Sequence, residues 1–237
     1  MGRIHYTLTM MTTNRARRDN RTGKEREPAQ RLFAAAPVSD AIREQMRSIR
    51  RALEPEGWTI RWVDPDLAHL TIKFFGDTRP SQIASLESKL AFAAERSQAA
   101  HLTTGGFIML GPRRRPNVLS LEIDAADDDP AGLASLEGLA REVERQTAGI
   151  GAGGNERAFK AHLTLGRFRD TDGAPPEVEP TLAAVTLEPV TFTVDRLQLV
   201  RSVLSQHGPT YTTIAEWPLT GTAQPEPDPV PEPEDYG

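Results

Sequence analysis

His69-Leu70-Thr71-Ile72 recurs downstream as His162-Leu163-Thr164-Leu165. Side chains alternate between the two faces of a strand, so a histidine and a threonine two apart point the same way. Leu70 and Ile72, like Leu163 and Leu165, then point toward a core. Each copy reads as a strand with an apolar back and a polar front, and the matched copies read as two related halves facing one site. Two imidazoles supply a general acid and a general base near neutral pH. Two threonine hydroxyls donate hydrogen bonds to the oxygens of a bound anion. Lys73 and Arg167 are further candidates for substrate binding. Strict alternation puts Lys73 on the His69 face but turns Arg167 away from His162, which favours a structural role for the arginine.

The flanks of the two motifs alternate helical and strand patterns. Arg31 to Ala36 reads as a first strand closed by Pro37. Ser39 or Asp40 then caps a helix carrying Ile42, Met46, Ile49 and Leu53 at helical spacing. Thr59 to Val63 is a strand and Asp64-Pro65-Asp66 a turn. The first motif strand runs to Phe75 and breaks at Gly76-Asp77. Pro80 opens a second helix with Ile83, Leu86, Leu90 and Ala93 along one stripe. His101 to Leu110 and Val118 to Ile123 are strands joined by a loop. Arg113, Arg114 and Arg115 in that loop suit a solvated hairpin tip and a grip on an RNA backbone equally well. Asp129-Pro130 has the look of a cap and first turn for a third helix bearing Leu133, Leu136, Ala140 and Val143. The second motif strand spans Ala161 to Arg169, and Asp170 to Pro180 is a loop. Val185 to Val200 holds two strands broken at Glu188-Pro189, and Tyr211 to Pro218 is the last. Many strands are joined by short turns, which predicts an α+β fold with antiparallel or mixed sheets.

The 237 residues suffice for one large domain or two small lobes. Net charge is −5, unevenly spread. Residues 1–29 carry +4 and read as a disordered basic tail; residues 223–237 carry −5 and read as an acidic proline-rich tail. The folded part is expected over 30–222. The absence of cysteine excludes disulfides, thiolate metal sites and cysteine nucleophiles, and fits a cytoplasmic protein. No apolar run is long enough for a membrane span, and the N-terminus lacks the apolar segment of a secretory signal. Gly149 to Gly154 lacks the Gly-Lys-Ser/Thr of a phosphate loop and reads as a flexible connection. His5, His101 and His207 fit no pattern and read as structural. No carboxylate cluster adjoins the two motifs, so they make a poor metal site.

With these residues in place, the chain resembles the two-histidine phosphoesterases, and within them the RNA 2′,3′-cyclic phosphodiesterases, also called 2′-5′ RNA ligases. Arg31-Leu32-Phe33-Ala34-Ala35 resembles that family's opening strand, and Arg61-Trp62-Val63-Asp64-Pro65 precedes the first motif as the family has it. His69 to Asp77 resembles the first motif with its tail, and His162-Leu163-Thr164-Leu165-Gly166-Arg167 the second. Pro112 to Val118 and Gly208-Pro209-Thr210-Tyr211 are also similar. The resemblance covers about residues 30–221. Two departures stand out. Lys160-Ala161 replaces the usual proline before the second histidine, and Leu67-Ala68 the common Asn-Leu before the first. Both are expected to affect substrate placement more than chemistry.

The resemblance implies a bilobal fold of two antiparallel sheets flanked by helices, with one motif from each lobe lining a central cleft. It implies hydrolysis of RNA 2′,3′-cyclic phosphate ends to 2′-phosphates, with reversible 2′-5′ ligation, no metal and no cofactor. It makes His69 the proton donor and His162 the acceptor, an order that the residues alone leave open. Thr71 and Thr164 then hold phosphate oxygens. The expected partner is RNA with a 2′,3′-cyclic phosphate end, with no membrane and no metal, and the chain is expected to act as a monomer. Two other readings compete: a noncatalytic RNA- or nucleotide-binding module, and a phosphodiesterase for a small cyclic nucleotide.

Overall fold

The structure is a computed structural model and describes residues 28–151, 159–169, 173–206 and 208–222. The apolar run after Arg31 forms strand β1 (Gln30–Pro37). Its alternation divides it: Leu32, Ala34 and Ala36 enter the main core, while Phe33 and Ala35 line the other face. Ser39 starts helix α1 (Asp40–Leu53), its side chain accepting a hydrogen bond from the Ile42 amide. Ile42, Met46, Ile49 and Leu53 form the buried stripe predicted from their spacing. There follow β2 (Ile60–Trp62), β3 (His69–Thr78), α2 (Pro80–Glu95), β4 (Ala100–Leu110), β5 (Val118–Ala125), α3 (Gly132–Gln146) and β6 (His162–Phe168). The described chain ends with α4 (Val178–Ala184), β7 (Thr191–Val194), β8 (Arg196–Ser205) and β9 (Gly208–Pro218).

The strands form two sheets, ordered β3-β1-β8-β9 and β2-β6-β5-β4-β7. Their pairings are antiparallel. This is the α+β, two-sheet architecture expected, with one motif strand in each sheet. The sheets are not successive halves of the chain. Strand β2 leaves the first motif's neighbourhood to pair with β6, and β8 returns to pair with β1 and carries β9 on its other edge. One continuous core joins the sheets and helices, including Leu32, Leu70, Leu86, Leu121, Leu136, Leu163 and Leu199.

Several boundaries differ from the sequence reading. Strand β3 continues through Gly76 and Asp77, because these residues still pair with Leu32 and Arg31 of β1. Asp129 does not cap α3. Its carboxylate accepts from the His101 amide at 3.0 Å, and the helix begins later, after Ala131. Helix α4 overlaps the end of the segment read as a loop; with seven residues it is too short to show a period, and Val178 and Leu182 anchor it. The chain breaks between β7 and β8 at Asp195, not at Glu188-Pro189, because there it passes from one sheet to the other.

The tails predicted at 1–29 and 223–237 lie outside the described residues, apart from Pro28 and Ala29, as do His5 and His207. No helix among the described residues is long and apolar enough to cross a membrane.

Candidate active site

Strand β3 lies at the edge of its sheet, and β6 is the second strand of the other. The two strands touch, which brings both motifs together on one surface. Leu70, Ile72, Leu163 and Leu165 are buried behind it, while His69, Thr71, His162 and Thr164 are half-buried on it.

The two imidazoles are held alike. His69 Nδ1 lies 2.9 Å from the Leu67 carbonyl, and His162 Nδ1 lies 2.8 Å from the Lys160 carbonyl. A carbonyl only accepts, so Nδ1 carries the hydrogen in both rings. That leaves each Nε2 as a base when the ring is neutral and as an acid when it is charged. Lys160 performs for His162 what Leu67 performs for His69, so the departures before the two motifs leave this device intact. Neither Thr71 nor Thr164 has a hydroxyl partner among the described residues.

The surroundings of the rings differ. His69 packs on Phe33, with centroids 4.8 Å apart and planes 31° from parallel. Tyr211 meets it edge-on at 5.4 Å. Burial holds the His69 pKa below its usual value; the Leu67 carbonyl works against this, and the charge of His162 lowers it further. The two histidines are therefore electrostatically coupled across the cleft.

Beyond the threonines the alternation fails in both copies, and at the same place. Along β1, Ala34 pairs with Lys73 and Ala35 with Thr71, so Ile72 is an extra residue. Along β5, Leu119 pairs with Gly166 and Ser120 with Thr164, so Leu165 is extra. Such a bulge reverses the facing of the residues just after it; on β3 a second irregularity follows at Phe75. This corrects two expectations. Lys73 does not share the His69 face: its side chain is 2% exposed and its Nζ lies 2.9 Å from Glu144 Oε2 on α3. Arg167, expected to turn away, instead comes to the His162 face, exposed and close enough to act on the charge of Tyr211. In the second copy Gly166 occupies the position of Lys73. A Cβ there would stand 2.8 Å from Ile60 Cδ1, so only glycine lets β2 pack against the bulge without displacing Ile60.

Phe33, Phe74 and Tyr211 were not assigned to the site from sequence. Phe33 has Tyr211 at 5.2 Å and Phe74 at 5.9 Å, so together with His69 they form an aromatic wall. The signal for Phe33 was available in the alternation of β1, whose neighbours Leu32 and Ala34 claim the core face. Arg113, Arg114 and Arg115 stand exposed in the β4–β5 turn. His101 lies away from the cleft beside Asp128, at 3.5 Å. Among the described residues, no group of three or more His, Asp or Glu side chains is placed to hold a metal ion.

A family model described as the 2′-5′ RNA ligase superfamily matches residues 33–205. An RNA 2′,3′-cyclic phosphodiesterase of Thermotoga maritima is 25% identical over 191 residues, spanning 81% of this chain and 96% of that protein. Another, from Thermus thermophilus, is 29% identical over 199 residues, spanning 81% and 91%. Among solved structures, E. coli LigT in its apo form is 27% identical with a TM-score of 0.61, covering 81% of this chain and 99% of LigT. With the match running over most of the sequence and through both motif strands, the chain belongs to the 2′-5′ RNA ligase superfamily.

Proposed function

We propose that this chain hydrolyses RNA 2′,3′-cyclic phosphate ends to 2′-phosphates, with His69 as proton donor and His162 as proton acceptor. One observation carries the reading: two histidines from separate, touching strands each commit Nδ1 to a carbonyl and leave Nε2 for proton transfer. The relatives' names, RNA 2′,3′-cyclic phosphodiesterase, support the substrate. LigT has been solved with phosphate and with 3′-AMP, which supports a phosphate-bearing ligand.

The steps follow from in-line displacement. His162 Nε2 takes a proton from water as the water oxygen attacks phosphorus. The bond from phosphorus to the 3′ oxygen breaks, and that oxygen takes the proton from His69 Nε2. The products are a 2′-phosphate and a 3′-hydroxyl. Extra negative charge develops on the nonbridging oxygens, where the Thr71 and Thr164 hydroxyls and the Arg167 guanidinium stabilise it. Lys73 has no part, since its ammonium is engaged by Glu144. The bound phosphate anion opposes the burial that lowers the proton affinity of His69, so the donor gains its proton with the substrate. Run backward with a 5′-hydroxyl RNA end in place of water, the same steps give a 2′-5′ linkage. The reading needs no metal and no cofactor, and the absence of cysteine supports a cytoplasmic setting.

The test is product identity. An oligonucleotide ending in a 2′,3′-cyclic phosphate should yield the 2′-phosphate, matched against synthetic standards. A 3′-phosphate product would retain the two-histidine chemistry but refute the placing of His69 beside the 3′ oxygen. No product would refute the activity.

A further inference from the structure

Arginines on the helices are ion-paired: Arg47 with Asp66, Arg50 with Glu54 and Arg145 with Glu142. The side chains of Arg31, Arg61 and Arg167 have no hydrogen bond or ion pair among the described residues, and the charges of all three reach Tyr211. Arg61 and Arg167 stand directly opposite each other on β2 and β6. Like charges so placed are destabilising unless an anion lies between them. The Arg61 side chain crosses to the other sheet, its Nη2 lying 3.1 Å from where a Cβ of Gly208 would stand. Gly208 has φ +121°, a conformation that side chains rarely adopt, so the turn before β9 stays open to the guanidinium.

On the facing sheet, Arg31, Ser202 and Tyr211 form one cross-strand row over β1, β8 and β9. Burial raises the Tyr211 pKa, and the charges of Arg167, Arg31 and Arg61 pull it down, so all three guanidinium groups lie within electrostatic reach of this phenol. The carboxylate opposite Arg31 is Asp77 on β3, and the two form no ion pair. Because Tyr211 touches His69, the arginines begin where the acid–base pair ends. One reacting phosphate engages Arg167 and leaves two guanidinium groups over. The planar fork of a guanidinium matches phosphate oxygens in pairs.

We propose that Arg31 and Arg61 form a second phosphate subsite, which takes the internucleotide phosphodiester on the 5′ side of the terminal nucleotide. The inference rests on the phosphodiesterase reading and narrows its substrate class. The ligand is the end of an RNA chain. A nucleoside 2′,3′-cyclic phosphate has no phosphate at that position and forfeits the contact.

The experiment is a cycle between substrate charge and protein charge. The substrates are a dinucleotide ending in a 2′,3′-cyclic phosphate and the same molecule with an uncharged methylphosphonate linkage. Each is hydrolysed by the wild type, R31A, R61A and the double variant R31A/R61A. Charge-assisted hydrogen bonds of this kind predict a loss in kcat/KM of about 10- to 100-fold when the wild type meets the neutral linkage. The double variant should cleave both substrates at similar rates, so the two losses do not multiply. The wild-type dependence of KM on salt should also exceed that of the double variant. Equal cleavage of the two substrates by the wild type would overturn the subsite without any appeal to variants. Losses that multiply would overturn it too. A wild type inactive on both would overturn the phosphodiesterase reading and this proposal with it, an outcome distinct from activity that ignores the linkage.

Discussion

His69 and His162 share a motif and a hydrogen-bonding device but not an environment. The aromatic rings of Phe33 and Tyr211 strip water from His69, and that asymmetry has a kinetic consequence. His69→Ala and His162→Ala should each lower kcat by about 10² to 10⁴ with unchanged circular dichroism. A donor must be protonated, so activity falls as pH rises through its pKa. In the free enzyme that pKa lies below the ordinary 6.5, and in the complex the phosphate anion raises it. Since kcat/KM reports the free enzyme and kcat the complex, the alkaline limb of kcat should lie at higher pH than that of kcat/KM. Phe33→Ala admits water to His69 and should shift the alkaline limb of kcat/KM upward. Movement of the acid limb instead would exchange the roles of the two histidines.

At the level of strands, the paired bulges decide which side chains share a face with the two histidines. Alternation reads the faces of residues 69 to 72 and 162 to 165 directly, because their apolar and polar residues strictly alternate. It fails at the next residue because a bulge adds a position without any fixed residue type. Two local oddities carry the missing information. Lys73 is buried while Phe74 is 53% exposed, the reverse of what each side chain favours alone. Gly166 inside a strand marks a close approach, here by Ile60. The ion pair behind the first bulge gives an asymmetric prediction. Glu144→Ala leaves the Lys73 ammonium buried without a partner and should cost about 3 kcal/mol. Lys73→Met keeps the volume and leaves only the half-exposed Glu144 carboxylate, so its cost should be about 1 kcal/mol. Urea midpoints at constant m-value measure both, and equal costs would show that the pair is not the constraint argued here.

For the molecule as a whole, the interleaving of strands ties both sheets to one core. The helical stripe of α1 and both motif strands were legible because burial imposed a period on them. The passage between sheets at Asp195 and the short α4 were not, since tertiary pairing and seven residues leave no period to read. The described chain also sets where trimming is tolerated. Leu219 is buried and the Gly221 amide bonds the Ser97 carbonyl at 2.9 Å, so a chain trimmed to residues 30–222 should match the full chain in melting temperature and in turnover of a short substrate. Cutting before Leu219 should lower the melting temperature by several degrees, through lost burial of the kind that costs about 1–3 kcal/mol. Phosphorus NMR distinguishes metal-independent two-histidine hydrolysis from its alternatives. An oligonucleotide ending in a 2′,3′-cyclic phosphate is incubated in excess EDTA with the full chain or with its H162A variant. The wild type should replace the cyclic resonance with that of a 2′-phosphomonoester while the variant leaves it in place. A cyclic resonance that survives the wild type, or that vanishes equally fast with H162A, would contradict that mechanism.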